Sequence, residues 1–175
     1  MGARIGVARN VTALAKAEEE LRFLAHHDPL TKLTNRSLFN DRLISALRTA
    51  QRQGNELALL FLDINDFKSI NDLHGHAAGD RVLCIVAQRL KSCVREIDTV
   101  ARIGGDEFTV LLTDVTSRDA ISQRLDQIHQ VMSEPLPPNL PHSRCHCAVS
   151  ALPIIRSTER MPIHCSLILI VKCIV

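Results

Sequence analysis

The chain has 175 residues, of which 46% are hydrophobic and 23% are charged, and its formal net charge is +2. This length suits one globular domain, and the balanced charge favours neither a nucleic-acid partner nor a membrane surface. The sequence shows no secretory signal and no apolar span of about 20 residues, so we expect a soluble, cytoplasmic chain.

The N-terminal region predicts a short strand followed by a helix. Residues 6–12 are similar to the last strand of a PAS sensor domain, and residues 13–24 are mostly good helix formers with several charges. We interpret residues 1–23 as the remnant of a sensor domain together with a linker helix.

A strand buried on both faces is predicted in the first half of the chain. Residues 57–62 form a nearly continuous apolar run bounded by polar residues. The carboxylate of Asp63 follows this run directly, so we expect it at the point where the strand reaches the surface.

A β-hairpin is predicted in the second half. Residues 98–103 and 108–112 have strand composition, and the Gly104-Gly105 pair between them suits a two-residue turn in which both residues have a positive φ. Asp106 and Glu107 then lie at the hairpin tip. A hairpin tip and the end of a neighbouring strand can bring these acids close to Asp63.

Three amphipathic helices separate or flank these strands, which predicts an α/β (α+β) domain with a single core. Their apolar residues recur at helical spacing. The first helix contains Leu38, Phe39, Leu43, Ile44 and Leu47; the second contains Val82, Leu83, Ile85, Val86, Leu90 and Val94; the third contains Ala120, Ile121, Leu125, Ile128, Val131 and Met132.

The carboxylates of Asp63, Asp106 and Glu107 suit Mg²⁺, which binds a few protein oxygens, retains water and completes its shell with substrate phosphates. A nucleotide is the natural ligand of such a site. The alternative is that residues 104–107 form a solvated turn, and for these four residues alone that would be the better interpretation.

Three separated motifs, in order, resemble those of a GGDEF domain, the catalytic module of diguanylate cyclases. They are residues 28–36, with Lys32 where glycine is usual, residues 63–80, and residues 102–108. The resemblance covers residues 24–134. It implies a nucleotide-cyclase palm-like sheet flanked by helices.

The resemblance also implies roles for individual residues. Asp63 and Asp106 would bind Mg²⁺ through their side chains and Ile64 through its backbone carbonyl, while Asn71 and Asp80 would hydrogen-bond guanine. The remaining roles concern phosphate, substrate and proton transfer. Lys68 would stabilise phosphate charge, His76 lies in the substrate-binding stretch, and Glu107 would assist Asp106 in deprotonating the ribose 3′-hydroxyl.

Each of these residues also has a simpler interpretation. Lys68 can be an exposed helix lysine, His76 a turn residue, and Asn71 the end of a short helix. Asp80 can favour a helix N-terminus through the helix dipole, which is compatible with guanine binding.

A second constellation precedes the hairpin. Arg95 and Asp98 match the R-x-x-D inhibitory site through which many family members bind their product, and five residues separate Asp98 from Gly104. Guanidinium suits phosphate and guanine. The pattern alone is weak, since Arg95 at a helix end can also be explained by the helix dipole.

The implied activity is condensation of two GTP into cyclic di-GMP and two pyrophosphates. The implied catalytic form is a homodimer, because each domain binds one GTP. Two alternatives stay open: an inactive module that binds GTP or cyclic di-GMP, and a truncated product without function.

The tail, residues 135–175, departs from the family. We expect its C-terminal strand and basic phosphate-binding helix to be missing, because Pro137, Pro138 and Pro141 interrupt the next strand. A frameshift is one hypothesis for this composition. A zinc site at Cys145-His146-Cys147 and His164-Cys165 is disfavoured by its tight spacing, and residues 163–175 are an aggregation-prone candidate.

Overall fold

The computed structural model describes residues 3–115, 117–137 and 147–154, with side chains described for all of these except residues 3–12, 118 and 147–154. Helices and strands are interspersed along the chain, although some neighbouring elements are of the same kind. The helices are α1 (Ala3–His26), α2 (Arg36–Gln53), α3 (Phe67–His74), α4 (His76–Ser92) and α5 (Arg118–Met132), and the strands are β1 (Glu56–Ile64), β2 (Thr99–Gly104), β3 (Glu107–Val115) and β4 (Cys147–Ile154).

The four described strands form one antiparallel sheet in the order β2-β3-β1-β4. Leu60 in the centre of β1 lies opposite Val110 on one side and Ala151 on the other. Because β1 and β3 are interior strands, their backbone groups pair on both sides, and the apolar runs predicted for them are buried.

Side chains of β1 alternate between two apolar layers, as a strand with both faces covered requires. Leu57 and Leu59 pack with Phe39 and Leu43 of α2 on one face. The opposite face carries Ala58, Leu60 and Leu62, which pack with α3, α4 and α5 through a cluster that includes Ile70, Val82, Val86, Leu90 and Ile128. All three predicted amphipathic helices and the α/β fold class are thereby confirmed.

Helix α1 corrects the expectation for residues 6–12. The structure has one helix over Ala3–His26, so these residues are helical and not a strand. A seven-residue strand without a neighbouring strand leaves its backbone groups unpaired, whereas a helix satisfies them internally. Beyond this segment, the side chains of Leu14 and Leu21 are 72% and 68% exposed.

Strand β4 corrects the expectation that the C-terminal strand is missing. It pairs with β1 from Leu57 to Ile64 and covers the edge that the absence of a strand would have left open. The prolines at 137, 138 and 141 precede the strand and do not interrupt it. Pro153 is tolerated within β4 because this is an edge strand of the described sheet.

Two cysteines with described side chains lie in or directly after α4. Cys84 and Cys93 are free thiols, and Cys93 is buried in the core. The candidate zinc ligands at 145, 146, 164 and 165, and the apolar segment 163–175, lie outside the described residues. Among the described helices, none is both long and apolar enough to cross a bilayer.

Candidate active site

The register between β1 and β3 places two of the predicted metal-site residues next to each other. Asp63, near the end of β1, is the Cα partner of Glu107, the first residue of β3. Asp106 immediately precedes Glu107 in the hairpin turn. The strand end and the hairpin tip therefore meet, as the sequence predicted, while the neighbouring Ile64 side chain is buried in the core.

The turn differs from the predicted one by one residue. Strand β2 continues through Gly104, which pairs with Glu107, so the turn consists of Gly105 and Asp106. Gly105 has a φ of 54°, whereas Gly104 is not among the residues with positive φ, and the expectation was wrong for Gly104. A register shift between Arg102 and Gly104, characteristic of a β-bulge, accounts for the displacement.

The electrostatics of the two aspartates favour a cation. Burial, and then the negative charge of Asp106, raise the pKa of Asp63 above its ordinary value. The carboxylates repel each other, and a bound divalent cation would relieve that repulsion. Both are accessible, because Asp63 is exposed and Asp106 is half-buried.

The available oxygen ligands fit Mg²⁺. The described residues contain no group of three or more His, Cys, Asp and Glu side chains that could hold a metal. Mg²⁺ binds to proteins through one or two carboxylates and substrate phosphates, so a large side-chain cluster is not required. Asp63, Asp106 and the carbonyl of Ile64 are the residues that could hold it.

The predicted guanine ligands lie at the junction of α3 and α4. A Cβ atom added to Gly79 would lie 2.0 Å from Oδ1 of Asn71, so the Asn71 side chain packs directly on α4. Asp80 follows Gly79 and is exposed. The absence of a side chain at Gly79 therefore allows Asn71 to lie beside the turn of α4 that carries Asp80.

Lys68 and His76 are both exposed. Lys68 is the second residue of α3, and His76 begins α4 after Gly75. Exposure leaves both side chains available to a ligand. Their positions agree equally with the simpler interpretations of an exposed helix lysine and a turn histidine.

Comparison with known proteins decides the family. A model described as "Diguanylate cyclase, GGDEF domain" matches residues 25–154. The chain belongs to the GGDEF family. This match extends beyond residue 134, where the resemblance was expected to end, and includes all of β4.

Two curated relatives come from Pseudomonas aeruginosa. The bifunctional diguanylate cyclase/cyclic di-GMP phosphodiesterase MucR is 44% identical over 126 residues, which are 69% of this chain and 18% of MucR. The diguanylate cyclase TpbB is 49% identical over 112 residues, which are 64% of this chain and 26% of TpbB. The chain thus matches about a quarter or less of the length of these relatives.

Solved GGDEF structures agree with the fold. The GGDEF domain of TpbB superposes with a TM-score of 0.68 at 42% identity, covering 72% of this chain and 74% of that one. The coiled coil and GGDEF domain of DgcB from Caulobacter crescentus, solved with c-di-GMP, gives a TM-score of 0.75 at 27% identity, covering 90% and 84%.

The candidate inhibitory site of this GGDEF domain is a tightly bonded loop before β2. Asp98 is only 8% exposed, and its carboxylate accepts hydrogen bonds from the backbone N–H groups of Arg95 at 3.0 Å and Thr113 at 3.1 Å. Arg124 of α5 donates to the carbonyl of Cys93 and lines the same cavity as Arg95 and Asp98. The structure therefore brings Arg95 and Asp98 together, with Asp98 as a structural member of the loop.

Asp28 and Arg102 are the first residues of two family motifs, and the sequence did not indicate a role for either. Their side chains form an ion pair with an Nη1–Oδ1 distance of 3.0 Å. The two residues are 74 positions apart, so local patterns could not reveal the contact. The signal available was their position as the first residues of two family motifs.

Proposed function

We propose that this chain is a diguanylate cyclase that condenses two GTP molecules into cyclic di-GMP and releases two pyrophosphates. The observation that carries the proposal is the pairing of Asp63 with Glu107, which sets the acid at the end of β1 beside the hairpin turn. Membership of the GGDEF family supports it, since relatives such as TpbB and DgcP are diguanylate cyclases. The proposal concerns the domain alone, because those relatives are several times longer than the matched segment.

Metal binding would use Asp63, Asp106 and the Ile64 carbonyl. Mg²⁺, when bound, neutralises phosphate charge and lowers the pKa of the attacking hydroxyl. After burial, the negative charge of Asp106 is the second cause of the raised pKa of Asp63. This charge supports the assignment, because a cation bound by the two carboxylates would offset their repulsion.

Substrate recognition would use the α3–α4 junction. The Asp80 carboxylate accepts hydrogen bonds from the ring N–H and the exocyclic amine of guanine, while the Asn71 amide pairs with the remaining edge. Adenine would leave these groups unpaired, which gives specificity for GTP. Exposed Lys68 would bind phosphate, and exposed His76 lies in the same substrate-binding stretch.

The reaction itself is nucleotidyl transfer. The 3′-oxygen of one GTP forms a bond to the α-phosphorus of the other, the bond to pyrophosphate breaks, and the hydroxyl proton passes to the carboxylate of Asp106 or Glu107. A second, reciprocal transfer closes the ring. Because one domain binds one GTP, the two half-sites belong to two copies of the chain.

Helix α1 supports a homodimer. Its exposed leucines, Leu14, Leu21 and Leu24, are spaced by seven and three residues, with Ala17 in the intervening position. This is the a/d spacing of a coiled coil, and a second copy of α1 would cover the exposed apolar side chains. Such a dimer brings two domains together for catalysis.

A second candidate is a module that binds GTP or cyclic di-GMP without turnover. The sequence of residues 135–175 favours it, since it contains no glycine and only one acid, Glu159, and no match to the basic phosphate-binding helix of the family. Strand β4 supplies the sheet edge but not that helix. Loss of the phosphate-binding helix would slow transfer more than it weakens guanine binding.

Turnover separates the two candidates. The purified full chain is incubated with GTP and Mg²⁺, and cyclic di-GMP is quantified by chromatography beside a version in which a GGDEF-type ending follows Glu134. We expect product from both, far more slowly from the chain as it stands. Equal rates would show that the tail supplies the phosphate contacts. Nucleotide binding without product would favour the binding module, and no nucleotide binding by either protein would contradict both candidates.

A further inference from the structure

The guanidinium of Arg102 connects two distant parts of the domain. Its Nε and Nη2 atoms donate hydrogen bonds to the carbonyl of Gly105 at 3.0 and 2.8 Å. Its Nη1 atom donates to both carboxylate oxygens of Asp28, at 3.0 and 3.2 Å. The side chains of Arg102 and Asp28 are only 13% and 16% exposed, so these bonds are largely protected from water.

Asp28 is itself held in place by its own turn. Its carboxylate accepts hydrogen bonds from the backbone N–H and the hydroxyl of Thr31, both at 2.7 Å. Burial alone would raise the pKa of Asp28, but the bonds from Thr31 and Arg102 outweigh it and bring the pKa below its ordinary value. Asp28 is therefore charged at neutral pH and anchors the guanidinium of Arg102.

The carbonyl that Arg102 binds belongs to the residue immediately before Asp106. Gly105 has a φ of 54°, a conformation that glycine adopts freely among others, so the glycine backbone by itself does not fix the turn. Packing contributes little there, because a Cβ atom added to either Gly104 or Gly105 would meet nothing within 4 Å. Besides the pairing of Gly104 with Glu107 in the hairpin, the bonds from Arg102 are the contacts described for this turn.

We propose that Arg102 is the positioning residue for the metal-binding carboxylate of Asp106, and that Asp28 keeps Arg102 in place. The proposal rests on the metal assignment made under the proposed function. Residues that orient a metal ligand typically affect metal affinity about 10- to 100-fold when they are removed. Arg102 would act through the Gly105–Asp106 peptide without touching metal or substrate.

The test measures metal dependence and not turnover. A fluorescent, non-hydrolysable GTP analogue is titrated at increasing Mn²⁺, and the Mn²⁺ concentration for half-maximal binding is recorded. For Arg102→Ala we expect it to rise roughly 10- to 100-fold, with the metal-free component of binding unchanged. A higher Mn²⁺ midpoint together with weaker metal-free binding would indicate general disruption of the domain and would overturn the proposal.

Arg89 provides a matched control. It also donates to two backbone carbonyls, those of Glu134 at 3.0 Å and Pro135 at 2.8 Å, but these lie away from the hairpin turn. Arg89→Ala should keep the Mn²⁺ midpoint of the parent. If Arg89→Ala and Arg102→Ala shift the midpoint equally, loss of any carbonyl-binding arginine has the same effect and the proposal is wrong.

Two further variants keep the test decisive if Arg102→Ala does not fold. Asp28→Asn removes the anchoring charge, and Arg102→Lys keeps the charge but loses the planar fork that reaches both partners. Each should raise the Mn²⁺ midpoint several-fold, and a parent-like midpoint in both would refute the positioning role. Asp63→Ala distinguishes the two proposals: if it retains the parent midpoint, the metal assignment itself has failed.

Discussion

The hairpin turn and the loop before β2 both place aspartates beside the same strands, but the surroundings of the carboxylates differ. The carboxylate in the loop accepts hydrogen bonds from the backbone, whereas those at the turn repel each other. Asp98 in the loop is buried and accepts two backbone hydrogen bonds. At the turn, Asp63 lies beside Asp106, whose charge helps to raise its pKa. Within the described ranges, neither the Asp63 nor the Asp106 carboxylate accepts a hydrogen bond from the protein.

The difference separates structural acids from binding acids. A carboxylate that satisfies backbone donors stabilises the native state, whereas two adjacent carboxylates without donors destabilise it unless a cation binds. Asp98 therefore shapes the candidate product loop, and Arg95 is the member of the pair that is available to a ligand. Repulsion at the turn lowers the stability of the metal-free native state, and such a cost is typical of functional sites.

Replacing Asp98 is the change expected to cost most. Asp98→Ala leaves the backbone N–H groups of Arg95 and Thr113 without their charged acceptor, so we expect a loss of about 2 to 4 kcal/mol in the free energy of unfolding. Urea denaturation measures it. Asp72→Ala, at an exposed position of α3, serves as the control and should change stability by less than about 0.5 kcal/mol. Equal stability of the two variants would remove the distinction between the regions.

Product binding tests the ligand-facing half of the loop. Arg95→Ala should weaken cyclic di-GMP binding roughly 10- to 100-fold, because a charged hydrogen-bonding group is lost, while stability stays near that of the parent. Isothermal titration calorimetry measures the affinity. Arg52→Ala, at an exposed position of α2, is the control. Unchanged affinity in Arg95→Ala would show that this loop is not the product site.

Gly79→Ala tests the proposed guanine contact of Asn71 at the junction of α3 and α4. The new Cβ would overlap Oδ1 of Asn71, which must swing away, so we expect GTP-analogue affinity to fall roughly tenfold through loss of its hydrogen bonds. Stability should change little, because the displaced group is the end of a flexible side chain. Gln88→Ala, at an exposed position of the same helix α4, is the control. Parent-like affinity in Gly79→Ala would argue against Asn71 as a guanine ligand.

The smallest expected effect is a gain in stability. Because the pKa of Asp63 is raised in the folded state, the metal-free protein loses stability as the pH rises through that pKa. Asp106→Asn removes the repulsion and should stabilise the metal-free protein by about 0.2 to 0.5 kcal/mol at neutral pH. The gain should disappear in acid, where Asp63 is protonated. The urea midpoints of both proteins are measured with a chelator present, at neutral pH and in acid. A gain that is the same at the two pH values would contradict this prediction.

Hydrophobic periodicity predicted the helices α2, α4 and α5 and the buried strands, because each follows from which faces must be covered. It failed where the outcome depended on distant partners. Residues 6–12 had no neighbouring strand and became part of α1, while β4 was overlooked because prolines before it suggested an interrupted strand.

The residues of the candidate site and the meeting of the strand end with the hairpin tip were predicted, but the detailed geometry of the site was not. Motif positions selected Asp63, Asp106 and Arg95 as candidates, because the family resemblance implies roles at those positions. The bulge that moves the two-residue turn to Gly105 and Asp106 is a local backbone detail that the pattern of residue types did not show. The Asp28–Arg102 ion pair joins residues 74 positions apart. Spacing along the sequence carries no information about such contacts.

The most direct test of the account is Mg²⁺-dependent binding of a non-hydrolysable GTP analogue to the parent, Asp63→Ala, Asp106→Ala and the exposed-acid control Asp72→Ala. We predict that Mg²⁺ strengthens binding to the parent and to Asp72→Ala, and that this Mg²⁺-dependent component is lost in the other two variants while metal-free binding persists. If Asp63→Ala and Asp106→Ala bind the analogue as the parent does, with the same response to Mg²⁺, the assignment of the hairpin turn as a metal-nucleotide site is contradicted.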